Sequence, residues 1–149
     1  MSGRTEPDEL QPGDILYRRL SRGQWNGVEV SPAAFRDRYE HTSFLVVRVV
    51  GGPRQALDWF ARLKHIRTQF GGRSPSAEEL IEQFDWGLAV VPASAIFRLG
   101  LTVAPDLKTG RQIRPDGHVD ISGAGSRAIQ LAEESRALDL RSVLGMDRT

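Results

Sequence analysis

Thr42-Ser43-Phe44-Leu45-Val46-Val47-Arg48-Val49-Val50-Gly51-Gly52-Pro53 decides how this chain folds. β-Branched and apolar residues fill it almost without a break, and Gly-Gly-Pro closes it, so it predicts a strand over 42–50. A strand with no polar face leaves neither side to water, which predicts a central position covered from both sides. The residues that follow change period. Ala56, Phe60, Leu63, Ile66 and Phe70 recur at spacings of three and four. That is the pattern of a helix with one apolar stripe, predicted over about residues 54–70 and ended by Gly71-Gly72.

Towards the N-terminus, Asp14 to Ser21 predicts a first strand, with Ile15, Tyr17 and Arg19 on one face and Leu16, Arg18 and Leu20 on the other. Val28-Glu29-Val30 predicts a short strand. Ser31-Pro32 supplies an N-cap and a first-turn proline for a short helix from Ala33 to about Tyr39. Towards the C-terminus, Ser76 and Glu79 form a capping box for a helix with Leu80, Ile81 and Phe84 on its core face. Gly87 to Val91 predicts a buried strand, Ala93 to Leu99 a brief helix and Leu101 to Ala104 another strand. Pro105, Gly110, Pro115 and Gly117 mark 105–117 as a long exposed loop. His118 to Ile121 reads as a strand. Ser126 to about Leu138 reads as a helix with Ala128, Leu131, Ala132, Ser135 and Leu138 on one stripe. Strands and helices are interspersed, so the expected class is α/β (or α+β) in a single compact domain. Its sheet would be mixed, with about four to five short strands and four to five helices. Residues 1–12 read as a flexible lead-in, 13–140 as the globular domain and 141–149 as a frayed tail.

A chain of 149 residues buries about two-thirds of its unfolded surface and needs no metal or disulfide to fold. The absence of cysteine excludes a disulfide framework, a Cys-based zinc site and a thiolate nucleophile, and fits a reducing compartment. No apolar run approaches the roughly 20 residues of a membrane helix, and the N-terminus lacks an apolar signal core. The expected setting is cytoplasmic, with no membrane partner. A net charge of +1 provides no global field towards nucleic acid. Only Lys64 and Lys108 among the 20 basic residues are lysines. Codon bias in a GC-rich bacterial genome accounts for this more simply than guanidinium recognition of phosphate does.

Chemistry concentrates in Gly117-His118-Val119-Asp120-Ile121-Ser122-Gly123-Ala124-Gly125-Ser126-Arg127. A short strand there runs through a glycine turn into a helix start. Glycines admit backbone angles barred to other residues, and the first N–H groups of a helix attract phosphate or carboxylate. Gly123, Gly125, Ser126 and Arg127 are therefore the candidate anion-binding residues, with Arg127 adding a charged fork. The plainer alternative is a tight connection with Ser126 as N-cap, since neither GxxxxGK[ST] nor a full GxGxxG is present. His118 and Asp120 share a strand face just before the turn, and with His41 they are the candidate catalytic residues. No third ligand stands out beside them, so neither a metal nor a cofactor is expected. Arg54, Arg62, Lys64, His65, Arg67 and Arg73 make 54–73 basic, which reads first as a solvated face and second as a nucleic-acid contact.

Two resemblances bear on function. His41-Thr42-Ser43-Phe44 and His118-Val119-Asp120-Ile121 resemble the paired His-x-Thr/Ser-apolar motifs of the two-histidine phosphoesterases. That likeness implies one imidazole as base and the other as acid, with hydroxyls gripping phosphate, although Asp120 stands where the second hydroxyl belongs. Over most of its length the chain also resembles a group of small uncharacterised bacterial proteins. The likeness rests on Leu16-Tyr17-Arg18-Arg19, Trp25, Ser31-Pro32-Ala33-Ala34-Phe35 and Gly87 to Leu99. It is completed by a late H-x-x-I-x-G motif at His118 to Gly123, followed by Leu131-Ala132. It implies no established activity and favours a bacterial stand-alone domain encoded beside an interacting partner. The first expectation is thus a small binding or accessory protein acting through a protein or anionic-ligand contact. The second is a phosphoester- or nucleotide-directed enzyme using His118, Asp120 and Arg127, with His41. The third is a nucleic-acid contact protein using the basic helix.

Overall fold

The computed structural model describes residues 9–26, 28–36, 41–46 and 52–146, without the side chains of His41 and Ser43. Among the described residues one six-stranded sheet runs in the order β4-β5-β2-β1-β3-β6. The strands are β1 (Ile15–Leu20), β2 (His41–Val46), β3 (Gly87–Pro92), β4 (Thr102–Ala104), β5 (His118–Ser122) and β6 (Arg136–Asp139). Each neighbouring pair is antiparallel, so the sheet is not mixed as expected, and it has one strand more. Helices α1 (Gly52–Ala61), α2 (Lys64–Thr68), α3 (Ala77–Phe84), α4 (Ala93–Arg98), α5 (Ala128–Glu134) and α6 (Leu140–Val143) complete an α/β domain. None of the described helices is long and apolar enough to cross a membrane.

Strand alternation sends side chains into two cores. Leu16, Leu20, Phe44, Val46, Val119 and Ile121 meet Phe35 and the α4 and α5 residues Ile96 and Leu131 on one face. Tyr17, Leu45, Leu88 and Val90 meet Leu57 and Phe60 of α1, Leu80 and Ile81 of α3 and Leu140 of α6 on the other. The apolar strand β2 is therefore buried on both sides at the middle of the sheet. Residues 47–51, which continue its apolar run, lie outside the described part.

Three elements depart from their sequence patterns. The long helix expected over 54–70 is two helices. Arg62 and Leu63 donate to the carbonyls of Trp59 and Phe60 three residues back, which closes α1, and Leu63 then turns extended before α2. The helix expected over 126–138 is shorter still. A 3₁₀ turn spans Ala124–Arg127, α5 ends at Glu134, and Arg136–Asp139 form the edge strand β6 against β3. The reason is the position of its two leucines. Leu131 is buried in one core and Leu138 packs against the other, so no single helix stripe can deliver both. The segment from Arg141, read as a frayed tail, continues α6, and Leu144 and Met146 pack on the second core. Of the remaining short elements, the helix from Ala33 is a 3₁₀ turn over Pro32–Phe35, and Val30 makes only an isolated bridge to Trp25.

The loop at 105–117 is partly anchored. Ile113 is buried in the first core, and the Leu10 N–H donates to Gln112 Oε1 at 2.9 Å. At its end Gly117 holds φ +96°, and a Cβ there would lie 2.6 Å from the Val46 carbonyl oxygen. Only glycine fits this position, where its own carbonyl accepts the Val46 N–H at 2.8 Å.

Candidate functional site

Among the described residues β1 and β2 pair only at Leu16–Val46 and Tyr17–Leu45. β1 goes on pairing with β3 as far as Leu20–Gly87, and β2 with β5 as far as His41–Ser122. The sheet thus opens as a fork in its middle. A cleft of about 390 Å³ lies at the mouth, with Tyr17, Arg18 and Arg19 on the β1 prong and Phe44 and Leu45 on the β2 prong. Trp59, Phe60 and Leu63 wall it from the helical side, and His65 and His118 reach it from α2 and β5. This volume is that of a small-molecule site. Because the prongs separate, Arg18 and Arg19 both line the cleft even though they point to opposite sides of the strand.

Arg19 is the unusual residue. Its guanidinium stacks 4.4 Å from the Trp86 ring centroid and 5.8 Å from that of Phe60. Burial, and secondarily the charge of Arg18, hold its pKa below the ordinary guanidinium value. No described carboxylate pairs with it. The aromatic faces offset part of the cost of taking this cation out of water, but they supply no counter-charge. Arg18 is fixed beside it, its Nε donating to the Ala34 carbonyl at 2.6 Å. Burial pushes the Tyr17 phenol above its usual pKa, and the charge of Arg136 acts against the shift.

On the β5 side His118 Nε2 lies 3.0 Å from Asp120 Oδ1, and Arg114 Nη2 lies 3.4 Å from Asp120 Oδ2. Asp120 is thereby shared between an imidazole and a guanidinium. Arg114 Nη1 is buried without a hydrogen-bond partner. The His118 ring sits 6.4 Å from that of Trp59, tilted by 38°. An imidazole oriented by a carboxylate at the rim of a cleft is the elementary arrangement for proton transfer.

The candidate residues from the sequence are only partly brought together. His118 and Asp120 are in contact, and His118 reaches the cleft. His41 is not with them. The register sets it opposite Ser122, four residues along β5 from His118, or roughly 13 Å at strand rise. Its side chain lies outside the described residues. Gly123, Gly125, Ser126 and Arg127 also stand beyond that far end of β5 and do not line the cleft that His118 reaches. Within the turn Gly123 takes φ +83°, and the Ser126 hydroxyl donates back to the Gly123 carbonyl at 2.8 Å instead of capping α5. Helix α5 has 7 residues, too short to build a strong N-terminal field, and Arg127 is exposed. The basic stretch 54–73 is broken between α1 and α2. Its two ends are engaged by α3, Arg54 with Glu78 and Arg73 with Glu79. Among the described residues no group of three or more His, Asp or Glu could hold a metal ion.

Arg18, Arg19 and Trp59 were not among the candidate site residues from the sequence. A signal was present, because two adjacent arginines interrupt an otherwise apolar strand, where charged residues are almost never buried without a partner. No family model, curated protein or solved structure matches the chain.

Proposed function

We propose that the protein binds a small anionic ligand in the cleft between β1 and β2, and serves through that ligand as a binding or accessory protein. The observation that carries this reading is Arg19, a cation held against aromatic rings in a cleft, beside a second arginine and with no described carboxylate on it. An anion entering there gains charge-assisted hydrogen bonds where water is already partly excluded. The absence of cysteine and the arginine-rich composition support a bacterial cytoplasmic setting and leave room for a protein partner that reads the liganded state.

Calorimetric titration with inorganic phosphate and pyrophosphate tests the site. Arg19→Gln should weaken binding about ten-fold or more, the usual worth of a hydrogen bond to a charged group. Arg127→Gln should leave it unchanged. The opposite pattern would move the anion site to the turn after β5.

A second reading, acid–base catalysis on a phosphoester, is favoured by the 3.0 Å contact between His118 and Asp120. Under it, His118→Ala abolishes hydrolysis of a nitrophenyl phosphodiester while leaving phosphate affinity intact. An absence of turnover by the wild-type protein would leave binding as the function.

A further inference from the structure

We infer that the anion taken by this cleft carries a flat ring, and that the ligand is a nucleoside monophosphate with its base against Trp59 and its phosphate towards Arg19. The inference rests on the anion-binding reading and adds to it the chemistry of the rest of the ligand.

Size is the first support. A bare phosphate would occupy a small part of about 390 Å³. Composition is the second. Beside the two arginines, Trp59, Leu63 and Phe44 add apolar surface that a bare inorganic ion would leave uncovered. Trp59 is the third. Ala56, Leu57, Phe60 and Ala61 form the buried side of α1, whereas Trp59 remains half-buried and lines the cleft. Its ring lies T-shaped to that of Phe60 at 5.5 Å and 77°, and 6.4 Å from the tilted ring of His118. An indole packed beside two other rings keeps its orientation, and a base can stack on it with little ordering cost. Arg19 is similarly fixed by Trp86 and Phe60, so both halves of the site are set before a ligand arrives.

The test is a titration of the full chain with AMP, CMP, adenosine, inorganic phosphate and 4-hydroxybenzoate, followed by calorimetry and tryptophan fluorescence. AMP should bind at least about ten-fold more tightly than phosphate, the scale of one base stacked on an aromatic side chain, and should quench fluorescence. Trp59→Leu should lower AMP to the level of phosphate without changing phosphate itself, while Arg19→Gln should weaken both. Trp59→Phe keeps a ring and should retain most of the AMP advantage, and it serves if Trp59→Leu does not fold. Equal affinities for AMP and phosphate in the wild type would overturn the ring assignment and leave the anion site standing. Tight binding of 4-hydroxybenzoate would overturn the phosphate assignment. Binding of a short single-stranded oligonucleotide with a steep salt response, without AMP binding, would make a nucleic-acid strand the ligand instead. Failure of every anion to bind would remove this inference and the anion site together.

Discussion

Two glycines separate backbone necessity from backbone convenience. At Gly117 the left-handed φ acts together with the Val46 carbonyl oxygen, which would lie 2.6 Å from any Cβ added there. Gly117→Ala should cost about 2 kcal/mol or more, through αL strain and displacement of β2, read as a lower urea midpoint. Gly125 has no positive φ, and its nearest neighbour would be the Phe35 carbonyl at 3.7 Å. Gly125→Ala should therefore stay within about 0.5 kcal/mol of the wild type. A large loss at Gly125 would show that the turn after β5 carries strain not visible in its backbone angles. Both glycines looked alike in the sequence, because a turn signal does not say which carbonyl will lie across from the missing Cβ. Arg18 and Arg19 pose the same difficulty. Their charge was legible, but a strand places alternate residues on opposite faces, and only a parting of strands lets neighbours share one space.

At the scale of elements, the start of α3 was fully legible. Ser76 Oγ accepts the Glu79 N–H at 3.1 Å, and Glu79 Oε1 accepts the Ser76 N–H at 3.0 Å. Ser76→Ala should destabilise the protein by about 1 kcal/mol in chemical denaturation. The hydrogen bond from Arg73, followed by that from the Ser76 backbone, lowers the Glu79 carboxyl to about 2 from 4.5. A depressed folded pKa means stability that is present above about 4.5 and lost as pH falls through about 2. Glu79→Gln should thus be less stable than the wild type at neutral pH. The gap should close across that acid window and narrow in high salt, because the pair is exposed. A gap independent of pH would assign the effect to the cap alone. The break between α1 and α2 and the strand β6 were not legible in the same way. Their residues obey helical spacing, and for β6 what overrides it is the separation of Leu131 and Leu138 into different cores.

For the whole molecule, the C-terminal segment tests where the domain ends. Leu140 is fully buried in the second core, and Arg141 Nε donates to Asp85 Oδ1 at 2.9 Å, tying α6 to the left-handed residue that ends α3. Leu140→Ala should cost about 2–5 kcal/mol, the range for emptying a buried leucine site, measured by urea unfolding. A loss below about 0.5 kcal/mol would restore the frayed tail. The sequence by itself determined the α/β class, two-sided burial of β2 and the caps, because period, turn chemistry and capping act over a few neighbouring residues. It also placed His118 and Asp120 together, since two residues of one strand share a face whatever the fold. Tertiary structure alone decided which elements surround the cleft. The register of β2 is set by β5 and that of β1 by β3, partners distant in sequence. Where those two registers diverge, Arg18, Arg19, Trp59 and His118 come to line one space.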